Sequence, residues 1–219
     1  MLHGVVNHKD SIGNSGSIGA GDVQWMTSGG GIMHEEMPQS DPVELSGFQL
    51  WVNMPAKLKM TKPRYQDIAS HQIPQTTRED GVMVRVIAGE VNGIRGAVTE
   101  IYADPIYLDI SIPANGSFSH PVARGNTVFA YVFEGEGTFG AANQEEEKRV
   151  GSPRLIVFDD GNTVNARATG QSVRFLLVSG KPLNEPIARY GPFVMNTRAE
   201  IDQALEDLRN GTFVYQEGG

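Results

Sequence analysis

The sequence predicts an all-β fold rich in turns, and three observations predict it. Glycine and proline are frequent, with Gly 26 and Pro 12 in 219 residues. Apolar residues come in many short runs that alternate with polar ones, the period of a half-buried strand. No succession of strands and helices of the βαβ kind is found, which argues against a dinucleotide-binding fold. A chain of this length can bury one large core or two small ones.

The remaining composition excludes several function classes. The formal net charge is −8, so the basic face that a phosphate backbone requires is not expected, and direct nucleic-acid binding is not predicted. There is no cysteine, which rules out disulfides and thiolate metal sites and is compatible with the cytoplasm, the expected location. No window reaches the roughly 18 apolar residues of a membrane span. The N-terminal MLHGVVNHKD lacks the basic region and apolar core of a signal peptide.

Taken in order, Met1–Val6 reads as the tail of a strand, and Asn7–Gly21 as a polar, glycine-rich turn region that leaves His3 and His8 facing solvent. Asp22–Thr27 alternates and predicts a short strand with Trp25 in the core. Gly47–Asn53 alternates most cleanly of all and predicts a strand ended by Pro55. Ala56–Gln66 is a polar connection with a local positive patch, Lys57, Lys59, Lys62 and Arg64, expected to be solvated. Ser70–Asp80 is polar and poor in apolar residues, as a domain boundary would be. The domains are placed at 1–72 and 81–219, with 73–80 as linker.

Gly81–Glu90 predicts a strand with Val82, Val84 and Val86 on one face, and Asn92-Gly93 a turn. Ile106–Ile112, Ser117–Pro121 and Val128–Gly137 follow as strands. His120 stands alone there and is expected to be structural. Glu134 and Glu136 read as a strand end rather than an acid/base pair. Glu145–Arg149 is a charge run in a solvated loop, while Arg154–Phe158 and Val173–Ser179 are expected to be buried strands. Thr197-Arg198-Ala199-Glu200 has the form of a capping box. Ile201, Ala204, Leu205 and Leu208 recur at helical spacing, and Asn210-Gly211 stops the helix.

The chemistry concentrates in Gly21–Pro38, GDVQWMTSGGGIMHEEMP. If Gly31–Met37 is extended, His34 and Glu36 point to one face and Met33 and Glu35 to the other. An imidazole and a carboxylate two apart on one strand suit iron, manganese, nickel, zinc or copper rather than calcium. By itself an H-x-E on a strand is more often a solvated pair than a site, and two ligands do not hold a catalytic metal. The glycines at 29–31 read either as a turn with positive φ or as room for a ligand.

That stretch, GFQLWVNMPAKLKMTKPRYQDI after it and LNEPIARYGPFVMNT near the end, resembles the pirin family from about Val5 to about Asn210. The resemblance implies double-stranded β-helix (cupin) barrels in tandem with a C-terminal helix lying back across the protein. It implies a mononuclear divalent metal, iron foremost, held by three His and one Glu in the first barrel. His34 and Glu36 match two of those ligands. The other two belong to a His-Pro-His segment upstream of the part matching Met1–Val6. The first barrel is therefore expected to be incomplete, with an open strand edge that a homodimer would cover, and absence of the metal is one of the expected outcomes. Two functions follow from the resemblance. One is a metal-dependent quercetin 2,3-dioxygenase-type oxygenase acting on a flavonol-like molecule, with Glu36 as ligand and base. The other is a non-catalytic protein-interaction or transcription-cofactor module with a degenerate metal site.

Overall fold

The structure is a computed structural model, and it describes residues 1–39, 44–102, 105–140 and 148–214. The chain forms two compact units, Met1–Gln72 with Leu183–Gly219, and Ile73–Pro182. The sequence expectation drew this differently, placing 183–219 with the second domain and leaving 73–80 as a linker. In the structure the linker carries a strand of the second unit. Among the described residues no helix is long and apolar enough to cross a membrane.

The first unit opens with β1 (Val6–Asp10), β2 (Ser15–Ile18), β3 (Val23–Thr27), β4 (His34–Pro38) and β5 (Arg64–Ile68). β2, β1 and β4 form one antiparallel sheet in that order, and β3 pairs with β5. The expected turn region at Asn7–Gly21 is thus largely a hairpin. In β1, Val6, His8 and Asp10 are buried while Asn7 and Lys9 are exposed, a period of two that the polar composition concealed. His8 is consequently a buried strand residue, not a solvent-facing turn residue; His3 is exposed.

Three further expectations change. Gly47–Asn53 is irregular chain, with Phe48, Leu50, Trp51 and Val52 exposed. Alternation reports side-chain period, not whether a neighbouring strand supplies the backbone hydrogen bonds. Lys59 is buried: its ammonium donates to Asn53 Oδ1 at 2.6 Å and to the Val194 carbonyl at 3.2 Å. Burial lowers its pKa, against the opposing charges of Glu185 and Glu200. Trp25 is half-buried rather than central. The glycines after it serve the backbone. A Cβ on Gly29 (φ 51°) would collide with the Thr61 carbonyl, and one on Gly31 (φ 136°) with that of Phe213.

The second unit contains β6 (Gln75–Thr77), β7 (Met83–Ala88), β8 (Glu90–Val91), β9 (Ile94–Arg95), β10 (Ile106–Ile112), β11 (Ser117–Pro121), β12 (Thr127–Gly140), β13 (Lys148–Gly151), β14 (Arg154–Val157) and β15 (Thr163–Gly180). The main sheet runs β13-β12-β15-β10-β7-β6, with β11 on β15 and β14 on β12. Register shifts between Val132 and Glu134, and between Gly135 and Gly137, break the long β12–β15 ladder into segments that can turn. Val82, Val84, Val86, Leu108, Phe175 and Leu177 face a common core and are at most 2 % exposed. β8 and β9 close on Asn92 (φ 50°) and Gly93 (φ 81°), the turn the sequence signalled.

Arg154–Val157 is a strand as expected but not a buried one, since Leu155 and Val157 are exposed. An apolar run of that length does not reveal whether a second layer covers it. Glu145–Glu147 of the charge run lie outside the described residues; Lys148 and Arg149 begin β13.

Returning to the first unit, β16 (Ala188–Tyr190) pairs with β17 (Phe193–Met195), and α1 spans Arg198–Asn210. Its capping box forms as predicted. The Thr197 hydroxyl accepts from the Glu200 N–H, and the Glu200 carboxylate accepts from the Thr197 N–H at 2.7 Å. Gly211 (φ 73°) caps the other end, and Ile201 anchors the buried face.

Candidate metal centre

β4 presents the predicted pair. Every residue from His34 to Pro38 is exposed. Its partner is β1, with His8 opposite Glu36 and Asp10 opposite His34. Residues directly opposite share a face. His8, Asp10, His34 and Glu36 therefore line one face of the sheet, while Met37 and Glu35 lie on the other with Asn7 and Lys9.

The backbone bonding fixes which groups are left over. Ser11 N–H donates to the Met33 carbonyl at 2.8 Å, and Gln39 N–H to that of Val5 at 3.0 Å. By the alternation of an antiparallel ladder, Met33, Glu35, Met37 and Gln39 turn their amides toward β1. His34 and Glu36 turn theirs to the opposite edge, away from β1. The two metal-type side chains thus sit on the outer strand of the described sheet.

The four residues on that face are not equivalent. The Asp10 carboxylate accepts from the Ile12 and Asn14 backbone amides, both at 2.9 Å, and from Asn14 Nδ2 at 2.7 Å. Burial works to raise its pKa, but the Asn14 side chain and the backbone amides outweigh it, and the net direction is down. Those bonds give Asp10 a structural task at the hairpin turn.

His8 stacks on Tyr65, ring centroids 6.1 Å apart and planes 13° apart. Its Nε2 lies 3.7 Å from the Asp67 carboxylate. Its Nδ1 is buried, with no hydrogen-bond partner. The Tyr65 phenol has its pKa pushed up to about 12, by burial first and then by the charges of Asp10, Asp67 and Glu36. It stays protonated at neutral pH, a hydrogen-bond donor within the field of Glu36.

His34 and Glu36 are brought together on one face as their spacing required. Among the described residues, however, no group of three or more His, Cys, Asp or Glu side chains could hold a metal ion. Two donors fall short of a mononuclear centre. Sequence reasoning missed Asp10, Tyr65 and Asp67. The alternation of Val6, His8 and Asp10 was the available signal for the first.

The second unit holds a separate charged cluster. Arg174 donates to both Asp109 carboxylate oxygens, at 3.0 and 2.8 Å, and to Glu134 at 3.2 Å; Arg85 lies 3.6 Å from Asp109. With Met83 and Ser111 these groups line a pocket of about 280 Å³. Glu136 accepts from Arg149 Nε at 2.6 Å. Both glutamates are engaged in ion pairs, which fits a structural task rather than acid/base chemistry. His120 is buried, stacked 6.1 Å from Phe118, with its Nε2 unpartnered.

Residues 1–52 match the family Pirin, and residues 107–214 match the Pirin C-terminal cupin domain. Pirin-1 of Arabidopsis thaliana is 42 % identical over 213 residues, covering 96 % of this chain and 72 % of its own. The chain belongs to the pirin family. A pirin-like protein of Caulobacter vibrioides is 39 % identical over 97 % of this chain and 75 % of its own. A crystal structure of quercetin 2,3-dioxygenase from Acinetobacter baumannii superposes with a TM-score of 0.84 at 37 % identity, over 97 % of this chain and 73 % of that one. The pirin fold, tandem cupin domains with a C-terminal helix, is thereby that of this chain.

Proposed function

We propose that this pirin is an oxygenase of the quercetin 2,3-dioxygenase type, with a flavonol-like substrate and with His34 and Glu36 as part of its metal site. The observation that carries the reading is the placement of both side chains on one exposed face of β4. The likeness to the Acinetobacter quercetin 2,3-dioxygenase supports the choice of reaction class.

Since the pair falls short of a metal centre, the steps that belong to this chain's own residues are proton steps. The Glu36 carboxylate accepts the proton of a substrate hydroxyl. Tyr65 stays protonated near this carboxylate, the pKa of its phenol raised by burial first and then by the charges of Asp10, Asp67 and Glu36. His8 holds the Tyr65 ring by stacking.

Oxygen uptake with quercetin, after incubation of the chain with Fe(II) or Ni(II), tests the reading. Uptake that is lost in both His34→Ala and Glu36→Gln is the expected result. Uptake equal in the wild type and both variants would place the activity elsewhere, and no uptake by the wild type would overturn the assignment.

A further inference from the structure

Four adjacent strands of the second unit carry a charged grid on the face opposite its core. Across β7, β10, β15 and β12, one row reads Arg85, Asp109, Leu176 and Tyr131, and the next Met83, Ser111, Arg174 and Glu134. Ser111 is the one small side chain of the second row. Between the long Met83 and Arg174 it leaves a hollow, the pocket of about 280 Å³. We infer that this hollow binds a small aromatic carboxylate, whose carboxyl group takes the place that Glu134 holds on Arg174. The site lies wholly within the second unit and does not depend on His34 or Glu36.

The receiving groups stand on strands rather than on loops. Arg174 reaches diagonally to Asp109, donating from Nε at 3.0 Å and from Nη2 at 2.8 Å, and its guanidinium lies over the Phe133 ring, 5.0 Å from the centroid. Two bonds and a stacked face fix the guanidinium plane. Nη1 is then left to Glu134, at 3.2 Å. The two carboxylates are unequal partners. That of Asp109 is 7 % exposed and holds two nitrogens, while that of Glu134 is 55 % exposed and meets Arg174 through one oxygen. β12 also shifts register between Val132 and Glu134, the kind of break that re-aims a side chain. An exposed single contact of this sort is weak, so Glu134 is the carboxylate that can leave.

Charge and shape choose the ligand. Arg85 and Arg174 face Asp109 and Glu134 here, so the cluster is neutral while Glu134 stays. With Glu134 turned to solvent one positive charge is uncovered, and a single carboxylate restores the balance. Arg85, 3.6 Å from Asp109, adds a second guanidinium to the pocket wall, and the Ser111 hydroxyl a donor at its floor. A carboxylate suits the place because a carboxylate already fills it. The thioether of Met83 forms the facing, apolar wall, and sulfur packs well against aromatic rings. The volume is near the lower end for ligand pockets, which limits the body of the ligand to about a single ring.

Isothermal titration calorimetry of the purified chain with sodium benzoate tests the inference, with benzamide as the uncharged probe of the same shape. Benzoate is expected to bind at one per chain, and benzamide roughly tenfold more weakly or less. Glu134→Gln should bind benzoate roughly two- to fivefold more tightly, because the resident carboxylate no longer competes. Ser111→Leu fills the hollow and touches no ion pair, so benzoate binding should be lost while thermal melts show a folded chain. Since Glu134 is exposed, its variant is expected to fold and keeps the test decisive if Ser111→Leu does not. No benzoate binding by the wild type and by Glu134→Gln would overturn the site. Weaker binding in Glu134→Gln would overturn the exchange of carboxylates, and binding unchanged in folded Ser111→Leu would overturn the placement in this hollow. Equal affinity for benzamide would overturn the carboxylate assignment.

Discussion

His8 and Glu36 face each other across the β1–β4 ladder, one buried and the other exposed on the same side of the sheet. The buried imidazole packs on Tyr65, and the phenol pKa of that residue is raised by burial first, then by Asp10 and Asp67, and last by the exposed Glu36 carboxylate. Ring packing beneath the strand and chemistry on its surface are therefore joined through one tyrosine.

His8→Ala removes a buried ring and its stacking partner. It is expected to cost about 2 kcal/mol of unfolding free energy in urea melts, whereas His8→Phe, which keeps a flat ring against Tyr65, is expected to cost markedly less. Equal losses in the two variants would mean that the His8 nitrogens, not its ring, hold the site.

Arg174 is the principal cation on buried Asp109. Arg174→Ala leaves that carboxylate with Arg85 at 3.6 Å and should destabilise the second unit by about 3 kcal/mol. The double variant Arg174→Met, Asp109→Leu should recover part of the loss, because it removes the buried carboxylate that Arg85 alone compensates incompletely, while it takes that carboxylate from Arg85. Chemical denaturation of the variants beside the wild type measures both.

Burial lowers the His120 pKa below the ordinary 6.5. The folded protein thus resists a proton that the unfolded chain accepts. Stability is full above pH 6.5 and is lost as pH falls through the lowered folded value. His120→Phe removes this contribution, so thermal melts between pH 7 and 5 should drop less steeply in the variant. An identical pH slope would show that His120 is not the group responsible.

The α1 cap predicts a local effect. Thr197→Ala should cost about 1 kcal/mol and raise amide exchange in the first turn of the helix more than in the second unit. The Glu200 carboxylate is held below its usual pKa by its bonds to the Thr197 side chain and backbone. Its help to the cap is therefore present above the usual carboxylate value and is lost as pH falls through the lowered one.

What was legible in the sequence depended on local chemistry. The capping box, the Asn92-Gly93 turn and the Val82, Val84, Val86 face each follow from neighbouring residues, and all form. The joint placement of His34 and Glu36 follows from strand period alone. Gly47–Asn53 misled because its alternation lacks a ladder. Lys59 misled because a lysine in a basic loop found its oxygen partners at Asn53 and at Val194, far along the chain. Asp10 lies two residues from His8 and was legible in the period of β1, whereas Tyr65 and Asp67 meet His8 only through the packing of strands distant in sequence, which no short window contains.

The proposed function requires His34 and Glu36 to bind a metal. The most direct test is the metal content of the purified, tag-free chain by mass spectrometry, beside His34→Ala prepared in parallel. Transition metal retained by the wild type and lost in the variant is the predicted result. Metal at the same low level in both would contradict it.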